Sequence, residues 1–132
     1  MLQGGCLCGQ VRYEAEGAPF HPTICHCGMC RRAAGAPMVA WFSVPREGFR
    51  WVAGEPARYA SSPGATRCFC RRCGTSLTFA AAQTPDEIDV TTASLDDPEA
   101  VPPRDHTHVA TRLSWVATDD GLPAYRDRRL GG

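Results

Sequence analysis

The pattern of hydrophobic and polar positions divides the chain into several short segments that are typical of β-strands. In residues 10–16 hydrophobic and polar positions alternate up to Gly17, which is typical of a strand with one buried face. Residues 38–44 form an apolar run that predicts a buried strand, and residues 76–80 and 87–92 predict two more. No segment sustains the 3.6-residue period of an amphipathic helix. The sequence therefore predicts a mainly β fold of short antiparallel strands.

Prolines and turn residues divide this pattern and give three local predictions. Pro19 and Pro22 predict an irregular segment, because proline cannot donate a hydrogen bond to a strand ladder. Residues 31–34 predict a single helical turn before Gly35, and residues 105–110 predict a weak strand.

The length and charge of the chain limit its function classes. Its 132 residues are the size of one ordinary domain, so we expect a single domain over residues 1–132 with a tail that frays from about residue 126. The 14 basic residues balance the 14 acidic ones. Bulk charge therefore gives no support to nucleic-acid binding, which normally requires a basic excess.

The expected compartment indicates whether the cysteines form disulfides or bind metal. Residues 1–6 lack the basic and apolar regions of a signal peptide, and no apolar run approaches the length of a membrane span. We therefore expect a cytoplasmic protein without a membrane segment. In a reducing compartment the eight cysteines are expected to be metal ligands rather than disulfide partners.

The outer cysteine clusters predict a closed metal site. Cys70 and Cys73 form a C-x-x-C half-site whose tight turn brings both sulfurs onto one ion, and Gly74 supplies the relaxed backbone. Cys6 and Cys8 are two residues apart, so in a strand they lie on the same face. Joining the two pairs gives four thiolates, the ligand set of a structural zinc.

The remaining cysteines leave two interpretations open. Cys25, Cys27 and Cys30 could form a second closed site with Cys68 as the fourth ligand. Alternatively, these three hold a metal with one open coordination position, and Cys68 is a buried strand residue. An open zinc could accept an incoming thiolate and lower the pKa of that thiol. Spacing does not decide between the two, and thiolate ligands would also suit iron.

Three ordered segments resemble the signature segments of a known family. They are residues 4–9 (GGCLCG), 25–31 (CHCGMCR) and 69–75 (FCRRCGT). The resemblance is to the glutathione-dependent formaldehyde-activating family, also called the centromere protein V family, and it runs over nearly the whole chain.

This resemblance implies a zinc-bearing β-tent fold with two zinc ions. The family activity that it implies is a carbon–sulfur lyase reaction in cytoplasmic detoxification, in which glutathione and formaldehyde combine to give S-hydroxymethylglutathione. Cys68 falls outside the ligand sets that the resemblance implies. Those sets are Cys6, Cys8, Cys70 and Cys73 for the structural zinc, and Cys25, Cys27 and Cys30 for the catalytic zinc.

Several other side chains are candidates for the site. Arg31 and Arg32 follow the central cysteines and are candidate substrate-binding residues, because arginine holds a carboxylate in a bidentate fork. His26 is a further candidate there, although a packing or hydrogen-bonding role is the simpler interpretation. His106 and His108 would share one face of a strand, where we expect a surface pair rather than pocket-lining residues.

The sequence therefore predicts a zinc-dependent carbon–sulfur lyase-type enzyme. Its substrates would be a small-molecule thiol such as glutathione and a small electrophile such as formaldehyde. The alternative is a non-enzymatic, zinc-stabilised module that binds protein or nucleic acid, and the zero net charge counts against the nucleic-acid version.

Overall fold

A computed structural model describes residues 1–129 and confirms the mainly β fold. Ten strands account for most of its regular structure. They are β1 (Leu2–Gly5), β2 (Arg12–Ala15), β3 (Phe20–Cys25), β4 (Val39–Pro45), β5 (Phe49–Ala53), β6 (Ala57–Ser62), β7 (Ala65–Phe69), β8 (Ser76–Ala81), β9 (Glu87–Thr91) and β10 (Asp105–Thr107).

Helical structure is sparse within residues 1–129. The single α-helix there, α1 (Gly28–Ala34), begins after Cys27 and ends at Gly35, which takes the left-handed conformation that favours glycine. Short 3-10 turns occupy Arg46–Gly48, Thr92–Ser94, Pro98–Ala100 and Val109–Thr111. None of the helices in the described chain is long and apolar enough to cross a membrane.

The strands form two sheets. A three-stranded sheet has the order β1-β2-β5, and a seven-stranded sheet has the order β10-β3-β4-β9-β8-β7-β6. Neighbouring strands are antiparallel, as predicted, except that β10 runs parallel to β3.

The main core draws on both sheets. Tyr13 of β2 and Phe42 of β4 have no exposed surface and belong to one buried cluster with Leu77 and Val90. Phe49 of β5 stacks on Tyr13 with ring centroids 5.4 Å apart. Because strand side chains alternate between faces, residues one position away point to the opposite face of the large sheet.

That opposite face carries a second, smaller cluster. Trp41 and Val39 of β4 pack there against Cys25 and Cys30. Cross-strand pairing aligns Val39 with Cys25, so the central cysteine knuckle lies on the sheet face that is turned away from the main core.

The predicted irregular segment at Pro19 and Pro22 is wrong for its second half. Pro22 lies within β3, whose pairing with β4 shifts register between Phe20 and Thr23. His21 has φ 50° at this irregularity. A residue at a bulge can be left out of the strand's hydrogen-bond ladder, so the strand can accommodate a proline, which has no N–H to donate.

The weak strand predicted over residues 105–110 is shorter than expected. It ends at Thr107 because His108 adopts a left-handed backbone with φ 56°, and Val109–Thr111 then forms a 3-10 turn. Further along, Arg129 forms an ion pair with Asp105. Part of the predicted frayed tail, residues 130–132, lies outside the described residues.

Candidate metal centres

The first cluster brings together the four cysteines of the two outer pairs. Their sulfurs all lie within 4.8 Å of one another: Cys6, Cys8, Cys70 and Cys73. The Cys6 and Cys8 sulfurs are 3.6 Å apart, and those of Cys8 and Cys70 are 3.8 Å apart. Zinc–sulfur bonds of about 2.3 Å in a tetrahedron place the sulfurs about 3.8 Å from each other. The cluster therefore has the dimensions of a four-thiolate zinc site.

Backbone N–H groups orient these sulfurs. Val11 N donates to Cys6 Sγ at 3.3 Å, and Cys73 N donates to Cys70 Sγ at 3.4 Å. The turn after Cys70 closes through Gly74, which has φ 82° and donates its N–H to the Cys70 carbonyl at 2.8 Å. Such donors favour the charged thiolate, so both turns prepare their cysteines for a cation.

The second cluster contains Cys25, Cys27 and Cys30, whose sulfurs also lie within 4.8 Å of one another. Cys25 ends β3, while Cys27 caps the N-terminus of α1 and its sulfur accepts the Cys30 N–H at 3.3 Å. The strand end and the first helical turn therefore aim three thiols at one point. The spacing C-x-C-x-x-C predicts this convergence because each sulfur belongs to the same short knuckle.

The charge of the second cluster also fits a cation. Hydrogen bonds from the Cys25 and Cys30 thiols lower the pKa of Cys27, and the contact with Cys27 raises the pKa of Cys25. Three thiolates this close repel one another, so only some of them ionise together unless a positive ion lies between them. The donor set of three soft sulfurs is one that zinc accepts.

Cys68 is not part of this cluster. Its neighbour Arg67 reaches Cys30 Sγ at 3.6 Å, and alternation along β7 turns the buried Cys68 to the opposite sheet face. There the Cys68 sulfur accepts a hydrogen bond from Arg58 Nη1 at 3.6 Å. Of the two interpretations left open by the spacing, the geometry favours three sulfurs without a fourth cysteine.

A cavity of about 290 Å³ adjoins the second cluster. Besides the three cysteines, its wall includes apolar groups and charged or titratable ones. The apolar groups are Met29, Trp41 and Phe79, and the charged or titratable ones are Arg67, Asp89 and His108. The combination of an apolar wall with a few polar groups is typical of a small-molecule site.

Asp89 is the carboxyl of this cavity, and it is half-buried. It faces Ser43 across the sheet and accepts the Ser43 hydroxyl at 2.6 Å. Burial raises the pKa of Asp89 to about 6, although the hydrogen bond from Ser43 acts in the opposite direction. A carboxyl with such a pKa can exchange a proton near neutral pH.

Neither Arg67 nor Asp89 was predicted from the sequence as a site residue. Arg67 lies three residues before the second C-x-x-C pair, and Asp89 is one polar position of an alternating strand. The pairing of β7 with β8 and of β8 with β9 aligns Arg67 with Phe79 and Phe79 with Asp89. Sequence alternation alone could have shown that Asp89 lies on the face opposite Ile88 and Val90, but not what that face covers.

The predicted substrate-binding residues lie elsewhere. Arg31 and Arg32 are in the last turn of α1, and neither lines the cavity beside the cysteines. Arg31 extends toward the Thr111 carbonyl, 3.5 Å from its Nη2, and Arg32 is exposed. Arg32 is two positions after Cys30, about 200° around the helix, so it lies on the opposite face from that cysteine.

His26 is fully buried but does not face the cavity. Its Nε2 lies 2.9 Å from His106 Nδ1, and His106 Nε2 lies 2.8 Å from the Asp120 carboxylate. The predicted surface pair is therefore wrong for His106, which is buried in this hydrogen-bonded chain. His108 leaves the strand, because of its left-handed backbone, and lines the cavity instead.

A family model described as glutathione-dependent formaldehyde-activating enzyme matches residues 1–111. An uncharacterized lyase of Schizosaccharomyces pombe is 36% identical over 78 residues, which cover 59% of this chain and 56% of that relative. The match thus spans little more than half of the relative's length.

Two further comparisons cover more of the chain. A Halomonas elongata protein, provisionally named a glutathione-dependent formaldehyde-activating enzyme, is 28% identical over 128 residues, covering 88% of this chain and 80% of that protein. A crystal structure of a Rhodobacter sphaeroides protein is similar with a TM-score of 0.59 and 26% identity, covering 93% of this chain and 98% of that one.

Proposed function

The chain belongs to the glutathione-dependent formaldehyde-activating enzyme family, and from this premise we propose that it is a carbon–sulfur lyase-type enzyme. It forms or breaks an adduct between a thiol such as glutathione and a small electrophile such as formaldehyde. The observation that carries the proposal is the three-sulfur cluster of Cys25, Cys27 and Cys30 beside a cavity of about 290 Å³. A purely structural cluster has no need of an adjoining cavity.

Two zinc ions are part of the proposal. Cys6, Cys8, Cys70 and Cys73 would hold a structural ion, and Cys25, Cys27 and Cys30 would hold a second with one coordination position left for a ligand. Zinc bound in this way lowers the pKa of a thiol and keeps its sulfur nucleophilic at neutral pH.

The side chains of the cavity have their own part in the reaction. Addition joins the thiol sulfur to the carbonyl carbon, and the proton that leaves sulfur ends on the former carbonyl oxygen. Asp89 is suited to carry this proton, since burial raises its pKa to about 6. The apolar wall is formed by Trp41, Phe79 and Met29. Such a wall excludes water that would otherwise compete for hydrogen bonds with the polar groups of the site.

The test is formaldehyde consumption with glutathione, measured above the uncatalysed rate on protein loaded with zinc. We expect a rate increase that Cys30→Ser abolishes and Cys68→Ser leaves within about twofold of wild type, since Cys68 lies outside the cluster. If no cellular thiol gives an increase, the enzyme proposal fails and a zinc-stabilised binding module becomes the better account.

We propose that residues 1–132 form a single domain of this family, that the protein works in the cytoplasm, and that its reaction serves detoxification. Cell fractionation tests the location, and formaldehyde sensitivity of a deletion strain tests the role.

A further inference from the structure

Arg67 is the cation of the cavity beside the second cluster. Its Nη2 donates to Cys30 Sγ at 3.6 Å. Its guanidinium carbon lies 4.9 Å from the Phe79 ring centroid and 6.0 Å from that of Trp41. Two aromatic rings and a sulfur therefore fix the plane of the guanidinium, which reduces the entropy that an arginine normally loses on binding.

The charge of Arg67 has no carboxylate partner within residues 1–129. Its Nε is buried and lacks a hydrogen-bond acceptor. By contrast, Arg12, Arg50 and Arg129 each pair with a carboxylate. A half-buried guanidinium with unused donors, one of them the buried Nε, favours an anion as its partner.

Arg67 also stands between two cavities. With Trp41, it lines the cavity of about 290 Å³ beside the sulfurs and an adjoining one of about 410 Å³. The adjoining cavity is bounded by Tyr59 of β6 and Phe69 of β7. A ligand whose sulfur lies at the cysteine cluster and whose chain extends away from it would pass the guanidinium.

We propose that Arg67 binds a carboxylate of the thiol substrate and makes the site selective for anionic thiols. The inference rests on the proposed function in one respect only, that a thiol is the ligand of the second cluster. The unused N–H groups of Arg67 match a carboxylate in a bidentate arrangement. The existing bond to Cys30 places that carboxylate a few ångströms from the sulfur cluster, which suits a short acidic thiol or an acidic peptide thiol.

The rival role for Arg67 is to offset the negative charge of the cysteine sulfurs alone. Both roles weaken the site when the charge is removed, so activity does not separate them. The carboxylate role predicts a difference between two thiols of the same shape, whereas charge compensation affects both thiols equally.

The experiment is calorimetric titration of the zinc-loaded protein with 3-mercaptopropionate and with its uncharged amide, without formaldehyde. We expect the wild type to bind the acid about 10- to 100-fold more tightly than the amide, the ratio typical of one charge-assisted hydrogen-bonded pair. Arg67→Met should remove this preference and leave the affinity for the amide unchanged. Arg67→Lys keeps the charge without the fork, so it should retain a smaller preference.

Arg58→Met is the matched control. Arg58 also contacts a cysteine sulfur, Cys68 at 3.6 Å, but it lines a different cavity, so this variant should keep the wild-type preference. Zinc content is measured for every variant. The proposal is overturned if the wild type does not distinguish acid from amide, a result that does not depend on any variant folding. It is also overturned if Arg67→Met weakens both thiols equally. Binding is measured without formaldehyde, so this test of Arg67 still gives an answer if the protein does not catalyse the addition of a thiol to formaldehyde.

Discussion

Replacing Asp89 by asparagine should stabilise the protein above neutral pH. An exposed aspartate has a pKa of about 3.9, whereas burial raises the pKa of Asp89 to about 6. The folded state therefore binds this proton more tightly than the unfolded state. Its stabilising effect is fully present below about pH 4 and is lost as the pH rises through about 6. At pH 8 the difference corresponds to about 3 kcal/mol.

Urea unfolding of wild type and Asp89→Asn at a series of pH values between 4.5 and 8 tests this reasoning. The variant should gain up to about 3 kcal/mol over wild type at pH 8 and converge with it toward pH 4, since its amide oxygen still accepts the Ser43 hydroxyl. Asp86→Asn, at an exposed position before β9, should show no such trend. A stability difference that is the same at every pH would refute the buried-carboxyl account.

Two further predictions concern the metals. Cys70→Ser should lose one of two zinc ions and at least about 4 kcal/mol of unfolding free energy, since a cross-link between Cys8 and Cys70 closes a loop of 62 residues. Metal analysis and urea unfolding measure the two losses, and retention of both ions would contradict the pairing of the outer cysteine pairs. Cys30→Ser should lose the other ion while Cys68→Ser keeps both, because Cys30 belongs to the second cluster and Cys68 does not. Equal loss of zinc in the two variants would mean that Cys68 is a ligand.

The cysteine clusters could be predicted because their geometry is local. A C-x-x-C turn or a C-x-C strand pair fixes two sulfurs within a few residues, so spacing alone indicated Cys70 with Cys73 and Cys6 with Cys8. The apolar run of residues 38–44 likewise indicated β4, which is buried along most of its length, and residues 87–92 indicated β9, where Ile88 and Val90 are buried and Asp89 between them is less so.

The cavity could not be predicted because it depends on long-range strand register. Arg67, Asp89 and Trp41 come from three strands, and only their pairing brings them to one face. The prediction of a surface position for His106 is wrong for a related reason, since its partner His26 lies 80 residues away. Local pattern gives the face on which a side chain lies, while the identity of its neighbours across the sheet comes from topology.

X-ray absorption of the zinc-loaded protein tests the central claim, an open coordination position at Cys25, Cys27 and Cys30, most directly. With four cysteines in one cluster and three in the other, the mean number of sulfur ligands per zinc should be about 3.5 without thiol. Saturating glutathione should raise it to about 4 as its sulfur fills the open position. A value of about 4 before any thiol is added, or one that glutathione leaves unchanged, would contradict the account.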